Sequence, residues 1–178
     1  METKMCGRVW LFGDNVDTDH ITPSRYSMLK DYMEMSRHCF ADLRPEFGRE
    51  RRDGEIIVAG KNFGCGSSRQ RAPLVIKNHG ISCIVAESFA RIFLRNAVNM
   101  GFPVLELPDA SRLISEEDII SVDFEKGEIH NQKKNETYQF NPIPEFMASI
   151  YKAGGLDGYI LDRLSKERQA NVGQTQED

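Results

Sequence analysis

The sequence predicts an α/β domain carrying a short antiparallel part, and three observations predict it. Ile56–Ala59, Ile81–Ala86 and Pro103–Leu107 are short, nearly continuous apolar runs, the pattern of strands covered on both faces. Before the third run, Phe89, Ile92, Phe93, Ala97 and Met100 recur at helical spacing, with Arg91, Arg95 and Asn99 off the stripe. Beyond residue 118 the apolar period drops to two. Strand, helix, strand, helix, strand between residues 56 and 107 makes a βαβ-type core.

Each element has a local reason. Arg8–Phe12 is an apolar strand closed by the turn formers Gly13, Asp14 and Asn15. Glu34–Glu55 is rich in charge, contains Pro45 and Gly48 and lacks a period, so it is expected to be a surface excursion. Its Arg49-Glu50-Arg51-Arg52 run is expected to be a solvated face, as short mixed-charge runs usually are. After a glycine-rich turn, a helix is expected to reach Asn78 and stop at Gly80. Gly101 ends the next helix. Ile119–Phe124 and Thr137–Phe140 alternate, with a turn at 125–128, and form the antiparallel appendage. Glu145–Lys152 is a closing helix stopped by Gly154-Gly155, and the polar stretch 165–178 is expected to be a disordered tail on a 1–164 domain.

Composition narrows the function classes. A chain of 178 residues fits one domain at roughly 100–200 residues each. With 23 basic against 27 acidic residues it is mildly acidic and has no long basic stripe, which argues against nucleic acid as a partner. No apolar stretch approaches the ~20 residues of a membrane span, and no signal-peptide core is visible, so a cytoplasmic location is expected. Cys6, Cys39, Cys65 and Cys83 contain no CxxC pair, so free thiols are expected and no metal site is assigned to this chain.

Chemistry concentrates in two segments. Gly60-Lys61-Asn62-Phe63-Gly64-Cys65-Gly66-Ser67-Ser68-Arg69-Gln70 follows a strand and leads into a helix, a turn able to present backbone N–H groups to an anion. It lacks the spacing of a P-loop or of GxGxxG, which leaves a carboxylate-sized site rimmed by Ser67, Ser68 and Arg69. A structural alternative stays open: Ser67 through Gln70 also fits a capping box, although Pro73 obliges the helix to start late or irregularly. The second segment is Asp14-Asn15-Val16-Asp17-Thr18-Asp19-His20. The residues at its sixth and twelfth positions do not fit an EF-hand, and the bland reading is an Asx-rich turn. Cys65 has no neighbouring His or Cys in sequence to activate it.

Asn15 to Pro23, Gly60 to Arg69 and Ala86-Glu87-Ser88-Phe89-Ala90-Arg91-Ile92-Phe93, in that order, resemble the small-subunit family of 3-isopropylmalate dehydratases. That family is the swivel-domain half of the aconitase superfamily, and with Gly154-Gly155-Leu156 the resemblance covers about residues 7–160. It implies a β/β/α swivel domain that completes the active site of a separate large subunit, as a heterodimer or heterotetramer. A 4Fe-4S cluster would belong to that large subunit. The implied base is Ser67, acting as an alkoxide, with Ser68 and Arg69 on a substrate carboxylate and Asp17, Thr18, Asp19, Gly64 and Gly66 as supporting motif residues.

The resemblance also places substrate choice in the loop Tyr26-Ser27-Met28-Leu29, where an apolar Met28 suits a branched alkyl group better than an extra carboxylate. Ser27 departs from the family's usual Leu, and Gln70-Arg71 from its commoner Glu-His. The implied activity is isomerisation of 2- and 3-isopropylmalate by dehydration and rehydration, in leucine biosynthesis. Alternatives are a related dehydratase acting on 2,3-dimethylmalate, another alkylmalate or a homoaconitase-type tricarboxylate, or a non-catalytic carboxylate-binding module.

Overall fold

The computed structural model describes residues 4–67 and 71–174. Among these, seven strands form one sheet in the order β4-β3-β2-β1-β5-β6-β7. The parallel half comprises β1 (Lys4–Leu11), β2 (Ile56–Ala59), β3 (Cys83–Ala86) and β4 (Val104–Glu106). The antiparallel half comprises β5 (Ile119–Asp123), β6 (Glu128–Asn131) and β7 (Glu136–Gln139). Strand β1 serves both halves: Lys4–Arg8 pair antiparallel with Asp123–Ile119, whereas Val9–Leu11 pair parallel with Ile56–Val58.

Because β1 is divided in this way, the sheet curls and the halves enclose a core. Ile56, Val58, Cys83 and Val85 pack towards Ile120, Val122, Ile129 and Phe140. The alternate residues Ile57, Ala59, Ile84 and Ala86 point the other way, into a second core beneath the helices. Covering both faces requires β2 and β3 to be apolar at every position, and all eight of their residues are buried. The result is the expected β/β/α architecture. The short antiparallel part packs as a layer over the parallel strands.

The helical layer holds α1 (Thr18–Ile21), α2 (Tyr32–Ser36), α3 (Phe47–Glu50), α4 (Arg71–Asn78), α5 (Arg91–Asn99) and α7 (Glu145–Lys152), while the short α6 (Ala110–Leu113) joins the core between the sheets. Two stretches differ from expectation. Residues 34–55 are no surface excursion, because Met35, Cys39, Phe40 and Phe47 are buried against Trp10 and Phe12. Arg49, Glu50 and Arg52 are exposed, Arg51 pairs with Asp53 and Arg44 bridges Glu46 and Glu116, whereas Glu55 is buried and accepts from Trp10 Nε1 and Arg8 Nε.

The polar stretch from Ser165, expected to be disordered, instead continues α8 (Leu156–Gln174). Strong helix formers and the Arg163–Glu167 ion pair at 3.1 Å support this polar helix; residues 175–178 lie outside the described range. No helix among the described residues is long and apolar enough to cross a membrane.

Candidate functional site

The C-terminal ends of β1 and β2 and the segment after β3 bring the three motif segments together, mostly through backbone hydrogen bonds. Gly64 N donates to Val16 O at 2.7 Å and Thr18 N to Cys65 O at 2.8 Å, a short parallel bridge between residues 16–18 and 64–65. Phe63 N donates to Ser88 O and Ala90 N to Phe63 O, binding the same turn to the third segment. Asn62 N reaches Ser88 Oγ at 2.9 Å, and the Asn62 amide reaches Asn15 Oδ1. The glycine-rich turn is therefore clamped from both sides.

Two of its glycines are demanded by this packing. Gly64 has φ +77°, and a Cβ there would run into the Phe93 ring. Phe93 is buried and lies edge-on to Phe63, with ring centres 5.3 Å apart. Gly66 has φ +94°, and a Cβ would come 3.2 Å from Thr18 Oγ1. Both positions sit in the left-handed region, where L side chains are strained.

The turn delivers Ser67, which is exposed, onto a buried partner. Thr18 Oγ1 lies 3.1 Å from Ser67 Oγ and 3.2 Å from Ser67 O, and the Thr18 side chain is only 2% exposed. The Thr18 hydroxyl has a single proton to donate, and given to Ser67 Oγ it would stabilise negative charge there. This pairing joins residues 49 positions apart, and nothing in sequence periodicity announces it. Ser68 and Arg69 lie outside the described residues, as does Gln70, the far end of the capping-box alternative.

The carboxylates of the acidic segment serve as hydrogen-bond acceptors, locally and across the site. Asp14 accepts from Lys61 N at 2.7 Å, Asp17 caps α1 by accepting from His20 N at 2.7 Å, and Asp19 accepts from Ser24 Oγ at 3.1 Å. Asp17 N donates to His20 Nδ1, so His20 completes a capping box. Among the described residues no group of three His, Cys, Asp or Glu could hold a metal, and Cys39 and Cys83 are buried in different cores. The side chains of the described residues therefore offer no ligand set for an iron–sulfur cluster. Burial, with the Asp17 carboxylate adding to it, pushes the Cys65 thiol up, which disfavours the thiolate a nucleophile needs.

The loop expected to meet the substrate's side chain lies beside α1. Tyr26 is half-buried, its ring stacked on His38 at 3.9 Å with an interplanar angle of 2°. Arg25 lies over the Tyr26 ring and grips Asp42 through two hydrogen bonds. Met28 stands 86% exposed.

This architecture matches known proteins over almost its whole length. Residues 13–110 match the aconitase C-terminal domain family. The chain is 53% identical to a 3-isopropylmalate dehydratase small subunit from Halothermothrix orenii, over 86% of this chain and 93% of that one. It is 49% identical to the small subunit from Aquifex aeolicus, over 94% and 100%. The chain belongs to the 3-isopropylmalate dehydratase small-subunit family. A crystal structure of 3-isopropylmalate dehydratase from Methanocaldococcus jannaschii superposes with a TM-score of 0.89 at 39% identity, covering 94% of this chain and 99% of that one. Membership accounts for the three clamped segments: the match to the aconitase C-terminal domain begins at Gly13 and spans all of them.

Proposed function

We propose that this chain is the small subunit of a cytoplasmic hydro-lyase that interconverts 2-isopropylmalate and 3-isopropylmalate in leucine biosynthesis. It would act only when docked on a large subunit, as a heterodimer or heterotetramer. The observation that carries the chemistry is the Thr18–Ser67 hydroxyl pair on the clamped turn. Ser67 Oγ, as an alkoxide, takes the proton from the carbon next to the one that loses hydroxide. The Thr18 hydroxyl holds the resulting Ser67 geometry and steadies its charge before and after that transfer. Hydroxide departs, the unsaturated diacid turns over in the site, and hydroxide returns on the neighbouring carbon. Ser67 then gives its proton back.

The substrate's carboxylates fall to Ser68 and Arg69, and its alkyl group to the loop holding Tyr26 and Met28. In this proposal a 4Fe-4S cluster on the large subunit would polarise the departing hydroxyl. The relatives' name as small subunits supports the division of labour.

The test is reconstitution. The full chain assembled with its cluster-loaded large subunit should turn over 3-isopropylmalate in preference to other alkylmalates and to tricarboxylates. Ser67→Ala should leave the complex assembled and abolish turnover. A Ser67→Ala complex running near the normal rate would remove Ser67 as the base, and preference for another diacid would redirect the substrate assignment.

A further inference from the structure

The first residue of α4 is Arg71, four positions beyond Ser67, and its side chain reaches the 26–29 loop. Arg71 Nη1 donates to Ser27 O at 2.8 Å, and its guanidinium carbon lies 5.8 Å from the centre of the Tyr32 ring. Ser27 O belongs to the peptide unit that ends at Met28 Cα. That unit is planar, so a fixed carbonyl fixes where the Met28 side chain begins. On the other side of Met28, Leu29 is partly buried against the helical core. Met28 thus stands between two anchors with its own side chain 86% exposed.

Other ties hold the loop as well, among them Ser27 Oγ to Ser24 O at 2.6 Å and the Tyr26 ring on His38, but none of them reaches α4. Tyr26 N to Pro23 O, Ser27 N to Ser24 O and Leu29 N to Tyr26 O are internal to it. Ser24 Oγ to Asp19 and Arg25 to Asp42 hold its beginning. The Arg71 contact links the Met28 end to the helix that follows the Ser67 turn. Arg suits this role because its planar fork can donate to a carbonyl while its face lies near an aromatic ring.

We propose that Arg71 is a positioning residue for substrate selection: it holds the Ser27–Met28 peptide and so sets the distance and direction of Met28 relative to the Ser67 turn. The proposal rests on the reading above, in which Met28 meets the substrate's alkyl group. Two measurements test it, and only the first depends on that reading.

In the reconstituted complex, Arg71→Ala should raise KM for 3-isopropylmalate about tenfold while kcat stays within about twofold. KM for a methyl-substituted malate, too small to need Met28, should change less than about twofold. Arg71→Lys, which keeps a donor without the fork, should recover part of the loss. Equal increases for both substrates, or none, would overturn the selection role.

In the isolated full chain, amide hydrogen exchange at Ser27 and Leu29 should quicken about tenfold in Arg71→Ala, while the 35–40 segment keeps its rate. Unchanged exchange in the loop would overturn the anchoring. If the wild-type complex ignores isopropylmalate, the substrate assignment falls while the exchange result still decides what Arg71 holds.

Discussion

Gly64→Ala concentrates the site's packing into one measurable number. At φ +77° a Cβ costs about 1–2 kcal/mol of backbone strain. The same Cβ would be driven into the buried Phe93 ring, and overpacking of that kind costs about 1–3 kcal/mol more. The sum, about 2–5 kcal/mol, is a large part of the 5–15 kcal/mol that typically holds a domain together. A double-mutant cycle separates the two contributions. Phe93→Ala alone should cost about 3–5 kcal/mol. In its background the ring carbons that the Gly64→Ala methyl meets are gone but the residue-93 Cβ stays 2.5 Å away, so the backbone strain of about 1–2 kcal/mol should remain together with part of the overpacking. The cycle should therefore show favourable coupling of about 1 kcal/mol or more, below the full overpacking cost of about 1–3 kcal/mol. Urea unfolding of the four chains, followed by fluorescence of the buried Trp10, measures every corner. A Gly64→Ala cost below about 1 kcal/mol, or a strictly additive cycle, would refute the clash and with it the account of why this turn needs glycine.

Other outcomes follow from the same contacts. Thr18→Val keeps the shape but deletes the hydroxyl beside Ser67, so kcat of the complex should fall about tenfold or more while Thr18→Ser stays near normal; equal rates for Val and wild type would deny the pair a role. His79 is buried, and burial, helped by the nearby Arg51 charge, lowers its pKa from 6.5 to about 4. A depressed histidine contributes full stability above pH 6.5 and loses it as pH falls from 6.5 through 4. At about 1.4 kcal/mol per pH unit the loss is capped at about 3.5 kcal/mol. Unfolding measured at pH 7 and pH 4.5 should show a shallower fall for His79→Gln than for wild type, and parallel slopes would contradict this.

How far the sequence revealed the molecule depended on whether its signal was periodic. β2 was legible to the residue because a strand covered on both faces is apolar at every position. The helix read from the Phe89 stripe forms as α5 from Arg91; Phe89 itself pairs with Phe63 in a bridge before the helix begins. Residues 34–55 misled because Met35, Cys39, Phe40 and Phe47 enter the core from short helices and turns, which leave no single period. Strand β6 was hidden by Asn131, a polar residue that is wholly buried. Its amide donates to the buried Asp118 at 2.7 Å and its oxygen accepts from Lys133 and Lys134.

At the site, the three segments were legible as motifs, and their family resemblance foretold the fold. The contact between Thr18 and Ser67 was not, because two hydroxyls 49 positions apart meet only through the register of a two-segment bridge. Arg71 was equally silent: a charged residue opening a helix gives no hint that it bonds a carbonyl 44 positions back.

The divided pairing of β1 also has a consequence for synthesis. By the time Glu106 is made, the parallel strands and all three site segments exist, yet the inner faces of Ile56, Val58, Cys83 and Val85 have no cover. Their cover, Ile120, Val122 and Ile129, arrives later, and the first half of β1 must wait for β5. At ribosomal rates of about 5–20 residues per second, that apolar face stays open for on the order of 1–5 seconds on every nascent chain. The glycine-rich turn is therefore synthesised before the layer that covers β2 and β3, and until that layer arrives the open apolar face is the part of the nascent chain exposed to aggregation.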